Sequence, residues 1–280
     1  MKFAILGHGI FGSAIASRLV LNGHQIIKEE IEKDADIVLV AVPSYAVSNV
    51  LISHKSEILD NQSIIICSKG FDKSGELFSK VLEKEFPNNQ IYFLYGPTLA
   101  GELQNGVFSV MVLAGGNGKE ELKKAIELPD LRIQLSEDIV GVQVGAALKN
   151  TVGIFVGLVE GAGLGENTQG FVYSQGLQEI QKIGVYMGAK PETFLGFTCA
   201  GDLFVRSRSR MLGVEIGKGR PFEEVAKEMV YPKEGIASLL NILKKDGNPD
   251  INLNFFKLIH SVVFENMSVK EAVRKLAEMI

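Results

Sequence analysis

Between Val140 and Val159 one side chain carries a formal charge, Lys149. It sits among Ala146, Ala147, Leu148 and Val152, so a helix through this segment surrounds an ammonium group with aliphatic carbon. Burying an unpaired ammonium is expensive, and such a residue needs a reason. A lysine at a helix end can reach water with its head, but the central position of Lys149 argues against that. Chemistry is the other reason. Desolvation or a nearby cation lowers the pKa of an ammonium towards neutrality and makes it a competent proton donor.

A second chemical signal opens the chain. Gly7-x-Gly9-x-x-Gly12 follows the apolar run Lys2 to Leu6 directly and leads into a segment of helical spacing that ends at Asn22-Gly23. In that context Gly7 permits a tight turn, Gly9 lets backbone approach a pyrophosphate, and Gly12 lets helix and strand pack closely. The helix N-terminus then offers N–H groups to the anion. His8, inside the loop, reads as a spacer. An acidic residue about twenty positions on accepts hydrogen bonds from the ribose hydroxyls in such sites. Glu29 and Glu30 lie near that spacing, although Lys28 to Lys33 reads equally well as an exposed helical turn.

Further polar groups stand in glycine-rich settings at strand ends, where parallel sheets bind ligands. They are Lys69 and the loop Gly96 to Glu102. Downstream, Gly201-Asp202-Leu203 precedes Arg206, Arg208 and Arg210. These arginines are either a solvated basic turn or a phosphate clamp, because the guanidinium fork matches phosphate oxygens. Cys67 and Cys199 form no metal-ligand or CxxC spacing and read as inert thiols of a reducing compartment. No metal site is expected.

These groups must be positioned by an α/β scaffold. Short β-branched runs at Asp36 to Val42, Ser63 to Cys67, Ile91 to Leu94 and Phe108 to Ala114, with a weaker one at Gln25 to Lys28, alternate with helical stretches such as Ser44 to Leu59. That alternation predicts βαβ units and a doubly wound parallel sheet of Rossmann type. From Ser136 onward only glycine-containing helical segments follow. We therefore expect a dinucleotide-binding domain over 1–135 and an all-α substrate and catalytic domain over 136–280. Gly141 to Val159 has the length of a bilayer-spanning helix and carries GxxxG spacings. Lys149 and Asn150 at its centre predict a buried helix instead of a membrane span.

Composition agrees: of 280 residues 46% are hydrophobic and 22% charged, which suits two globular domains, and the net charge of −4 speaks against nucleic acid as a partner. The N-terminus turns glycine-rich too soon for a signal peptide. Cytoplasm is the expected compartment, and a homodimer the default assembly.

Taken together, the motifs resemble the bacterial-type NAD(P)-dependent glycerol-3-phosphate dehydrogenases. The matching segments are GHGIFG (7–12), ADIVLVAVPS (35–44), SKG (68–70), YGPTLAGE (95–102), GVQVGAALKN (141–150), GAGLGENT (161–168), GDL (201–203), SRSRMLGVEIGKG (207–219) and EG (234–235). They span the chain in the family's order.

The resemblance implies NAD or NADP as cofactor and a small phosphorylated ketone, dihydroxyacetone phosphate, as substrate, with phospholipid synthesis drawing on the product. By it Lys149 is the proton donor and acceptor at the substrate's second carbon, assisted by Lys69 and Asp202. Gly7, Gly9, Ile10, Phe11, Gly12, Lys69, Ala100, Arg208 and Glu234 match cofactor positions. Lys69, Gly96, Thr98, Lys149, Asn150, Asp202, Ser207, Arg208 and Ser209 match substrate positions, with Arg208 gripping phosphate.

Two departures stand out. The stretch between the second strand and ADIVLVAVPS is much shorter than in the family, which leaves the choice between NAD and NADP open. Phe204-Val205-Arg206 replaces a longer segment after GDL, and Ser209 stands where asparagine is usual. Two other activities fit part of the pattern. A β-hydroxyacid or ketopantoate-type reductase would act on an unphosphorylated substrate. A dinucleotide-binding sensor would bind cofactor without turnover, against which the Lys69, Lys149 and Asp202 set argues.

Overall fold

A computed structural model describes residues 1–28, 30–229, 233–248 and 250–280. Seven strands form one sheet in the order β2-β1-β3-β4-β5-β6-β7. They are β1 (Lys2–Leu6), β2 (Gln25–Lys28), β3 (Ile37–Val40), β4 (Ser63–Ile66), β5 (Ile91–Tyr95), β6 (Ser109–Gly115) and β7 (Leu131–Ser136). The β-branched runs explain the middle of the sheet, since β3 and β4 are buried on both faces and only such side chains pack there without polar cost. Helices α1 (Ile10–Leu21), α2 (Val47–Ser53), α3 (Phe78–Glu85), α4 (Ala100–Gln104) and α5 (Lys119–Ile126) accompany the strands.

The first five strands are parallel, with Ile5 level with both Lys28 of β2 and Leu39 of β3. The chain leaves β1 for β2 on one side and later returns to lay β3 on the other. The order therefore reverses beside β1, which opens a crevice at the carboxyl ends of β1 and β3.

Three details differ from the sequence reading. β6 runs antiparallel to β5. The link between them carries the five-residue α4. β7, unforeseen, pairs parallel with β6, and its alternation of buried Leu131 and Ile133 with exposed Arg132 marks a strand wet on one face. The helix expected over Ser44 to Leu59 is a single 3₁₀ turn, Ser44–Ala46, followed by α2 alone. The chain turns after Ser53 so that Ile58 can reach the sheet core beside Val38 and Val40. Residues 30–32 are not helical. Glu29 lies outside the described residues.

The second half is helical: α6 (Ile139–Gly161), α7 (Gly165–Tyr186), α8 (Asp202–Phe204), α9 (Arg208–Gly217), α10 (Phe222–Glu228), α11 (Lys233–Leu243), α12 (Asn254–Phe264) and α13 (Val269–Ala277). α6 is long and apolar enough to cross a membrane, but 89% of its most apolar window is buried inside the protein. Its glycines serve contact with α9. A Cβ on Gly157 would stand 2.1 Å from the Arg210 carbonyl oxygen, and one on Gly161 2.0 Å from that of Val214. Gly213 and Gly217 of α9 answer with equally close approaches to Ile154 and Leu158. Two backbones thus touch, and α9 is held in one register against the helix that carries Lys149.

The contact sets two effects against each other. Helix propensity alone makes Gly157→Ala stabilising by about 1 kcal/mol. Overpacking against a rigid backbone costs typically about 1–3 kcal/mol, and the backbone of α9 cannot yield. We expect Gly157→Ala to lower the urea midpoint by a net loss of about 1–2 kcal/mol; a raised midpoint would show that the two helices are not in backbone contact.

Candidate active site

The glycine loop turns from β1 into α1 against the end of β3. Gly7 has φ +99°, and a Cβ there would meet the backbone of Ala41 and Val42 at 2.7–2.8 Å. A Cβ on Gly12 would lie 1.9 Å from the Gly7 carbonyl oxygen. Gly9 differs, for nothing lies within 4 Å of its would-be Cβ. Gly9 is also the N-cap of α1 and supplies no side-chain cap. The first-turn N–H groups of a twelve-residue helix therefore have no side-chain acceptor, and the backbone around Gly9 is open on the crevice side. That is the cradle a pyrophosphate requires.

The crevice is a cleft of about 890 Å³ between the strand ends and the helical half. Gly7, Gly9, Ile10, Phe11, Lys69, Thr98, Ala100, Lys149, Asn150, Ser207, Arg208, Ser209 and Glu234 all line it. Three expected residues do not. Gly12 lies beneath the loop, Gly96 contributes its carbonyl to Lys69, and Asp202 stands behind the lysines, 2% exposed. Sequence reasoning missed other parts of the wall. Leu99 and Gly101 lie inside the YGPTLAGE segment and Tyr45 directly follows ADIVLVAVPS, so position in or beside a motif could have found them. Ala226 and Met229, which follow the start of α10, carried no chemical signal.

Asp202 organises the floor. It begins α8 after a tight π-type turn, Phe197–Gly201, whose Ala200 carbonyl accepts a hydrogen bond from Tyr173 of α7 at 2.8 Å. One carboxylate oxygen lies 2.9 Å from Lys149 Nζ and the other 2.6 Å from Lys69 Nζ. Lys149 Nζ also donates to the Asp202 carbonyl at 3.3 Å, and Lys69 Nζ to that of Gly96 at 3.0 Å. One buried anion thus holds two ammonium groups, one from the sheet and one from α6.

Electrostatics follow from this crowding. Burial lowers the Lys149 ammonium below its ordinary value, and the Lys69 charge adds to the effect while Asp202 opposes it. Burial raises the Glu234 carboxyl, with the Lys69, Lys149 and Arg208 cations opposing. The Cys67 and Cys199 thiols are each pushed up to about 12 by burial, which keeps them protonated and unreactive.

The arginine cluster divides. Arg206 and Arg210 both bind Glu160, at 2.8 and 3.0 Å, and Arg210 also reaches Gln169. They fasten α9 to the end of α6. Arg208, the first residue of α9, faces the cleft instead, between Ser207 and Ser209. Thr151 donates to the Gly235 carbonyl at 2.8 Å and so fixes the start of α11, which carries Glu234, against α6. Among the described residues no group of acidic, histidine and cysteine side chains could hold a metal ion.

The family description "NAD-dependent glycerol-3-phosphate dehydrogenase" matches over both halves, its N-terminal part at residues 27–121 and its C-terminal part at 138–274. Curated glycerol-3-phosphate dehydrogenases [NAD(P)+] from Thermoanaerobacter sp. and Fusobacterium nucleatum are 32% and 30% identical, and each alignment covers 99% of this chain and 96% of the relative. The crystal structure of glycerol-3-phosphate dehydrogenase from Coxiella burnetii superposes with a TM-score of 0.92 at 23% identity, over 99% of this chain and 98% of that one. At that identity it speaks for the fold.

Removing the shared anion tests the floor of the site. Asp202→Ala leaves two ammonium groups facing each other in apolar surroundings, and breaking a buried pair costs about 3–5 kcal/mol. Urea unfolding at pH 7 should show a loss of that size. A loss below ~1 kcal/mol would mean that the carboxylate does not hold both lysines.

Proposed function

The chain belongs to the NAD-dependent glycerol-3-phosphate dehydrogenase family, an oxidoreductase using NAD or NADP, and on that footing we propose that it interconverts dihydroxyacetone phosphate and sn-glycerol 3-phosphate with Lys149 moving the proton. The observation that carries this reading is the desolvated ammonium of Lys149, held by Asp202 at the wall of a cleft whose far end is the glycine loop.

When bound, the nicotinamide supplies the hydride for the carbonyl carbon in the direction of reduction. The remaining work belongs to the chain. Backbone N–H groups at the start of α1 receive the pyrophosphate. Arg208 grips the substrate phosphate in bidentate fashion, helped by Asn150, Ser207 and Ser209. Lys149 points a fixed positive charge at the carbonyl oxygen as it gains negative charge, then gives up its proton there. Asp202 does not touch substrate in this reading. It fixes the direction of the Lys149 ammonium, itself opposing loss of the proton, and holds beside it Lys69, whose charge favours that loss. Thr98, on the loop after β5, and Ala100, the first residue of α4, close the cleft over the reacting groups. In the same reading the enzyme acts in the cytoplasm as a homodimer, and its product feeds phospholipid synthesis. Those three statements rest on the family likeness and on the frequency of twofold assemblies.

The decisive assay follows oxidation of NADH and NADPH separately with dihydroxyacetone phosphate and with unphosphorylated ketoacids. Only the phosphorylated ketone should turn over rapidly. Lys149→Ala should cut turnover by about 10²–10⁴-fold while cofactor binding by calorimetry survives; unchanged turnover would refute the assignment.

pH gives an independent handle. Reduction needs the protonated lysine, so its kcat should fall as pH rises through the Lys149 pKa, which burial places below 10.5. Oxidation needs the neutral amine and should rise over the same interval. A reduction profile flat to pH 10.5 would exclude Lys149 as donor.

A further inference from the structure

The segment between β4 and α3, residues 67–77, begins at the site and leaves it at once. Lys69 stands in the cleft, yet Phe71 and Leu77, 2% and 1% exposed, belong to the core of the helical half, among Leu148, Val152 and Ile236. The segment is a strap that springs from the sheet and is rooted in the helices. Its path is narrow: Gly70 has φ +152°, and a Cβ there would lie 2.6 Å from that of Ser44.

Asp72 fastens the strap. It is 4% exposed, and among the described residues its carboxylate is met by neutral hydrogen-bond donors. One carboxylate oxygen accepts from Ser48 Oγ of α2 at 2.5 Å, and the other from the Ser74 backbone N–H at 2.8 Å. Its carbonyl accepts from Asn241 Nδ2 of α11 at 3.4 Å and from the Gly75 N–H at 2.8 Å. Lys244 adds a bond to the Lys73 carbonyl at 3.0 Å. The strap is thereby tied on one side to α2, which belongs to the sheet, and on the other to α11, whose first turn brings Glu234 to the cleft. A buried carboxylate satisfied only by neutral donors costs stability unless its fixed geometry serves a purpose. Lys69, with its ammonium on Asp202, stands three residues away on the same strap.

We propose that Asp72 is a positioning residue: by clamping the strap between α2 and α11 it holds the Lys69 ammonium against Asp202 and so tunes the proton donor beside it. The proposal rests on the reading of Lys69 and Lys149 given above. Burial acts to raise the Asp72 carboxyl, but the hydrogen bonds from Ser48 and Ser74 hold it below the ordinary aspartate range, which agrees with a clamp that works as the anion.

The test uses the full-length enzyme with Asp72→Asn and Ser48→Ala, each alone and each combined with Lys69→Met. Ser48→Ala removes the same hydrogen bond from the other side and serves if Asp72→Asn does not fold. Either single change should lower kcat on the order of tenfold, in keeping with the loss of one oriented charged group, and leave KM for NADH within about twofold. With Lys69 displaced from Lys149, the alkaline limb of the reduction profile should move to higher pH. In the Lys69→Met background neither change should lower kcat further, because the group being positioned is gone. If Lys69→Met itself turns over like the wild type, the role of Lys69 fails and the proposal with it. If Lys69→Met is impaired but Asp72→Asn and Ser48→Ala keep wild-type kcat, or if their losses multiply in that background, the clamp is structural and the positioning role alone is overturned.

Discussion

Everything in the site depends on one carboxylate that two ammonium groups share. Lys69 arrives from the sheet and Lys149 from α6, and the oxygens of Asp202, at 2.6 and 2.9 Å, hold both. Without the anion the two cations would repel each other unopposed; burial lowers the Lys149 ammonium, and without the Lys69 charge beside it the pull of Asp202 would hold the proton to higher pH. The arrangement balances these tendencies. In the proposed reaction Lys149 stays charged enough to face a carbonyl and acidic enough to let its proton go.

That balance explains features of the fold that would otherwise be costly. A buried lysine in the middle of a 23-residue apolar helix is tolerated because the turn before α8 delivers Asp202 to it. The same helix is grooved by Gly157 and Gly161 so that α9 can lie against it backbone to backbone. This close packing sets Arg208 at a fixed distance from Lys149, while Arg206 and Arg210 anchor α9 through Glu160. In the proposed reaction the distance between the phosphate grip and the proton donor is thus set by helix packing, which is stiff, and not by loops, which are not.

Much of this was legible in the residues. The lone charge in an apolar helix marked Lys149, and the glycine spacing after a strand marked the cradle, because each is a chemical anomaly that only a function excuses. Strands β1, β3 and β4 were plain because burial on both faces demands unbroken β-branched runs. The rest was hidden for physical reasons. β7 alternates in polarity and resembles an exposed edge, and the direction of β6 is not written in its own run of apolar residues. The division of labour among Arg206, Arg208 and Arg210 turns on where Glu160 lies, 46 residues before the first and 50 before the last. Asp202 was named from its motif, but that it stands behind the lysines, out of the cleft, is a fact of three dimensions.

The central claim concerns the protonation of one amine, so the most direct measurement watches that amine. With lysine labelled by ¹³C at the ε carbon, and the Lys149 resonance assigned by its absence in Lys149→Arg, titration by NMR reads the ammonium itself in the resting enzyme. The account predicts a midpoint below 10.5 that moves upward when Lys69 is replaced by methionine. A midpoint at or above 10.5, unmoved by that replacement, would contradict it.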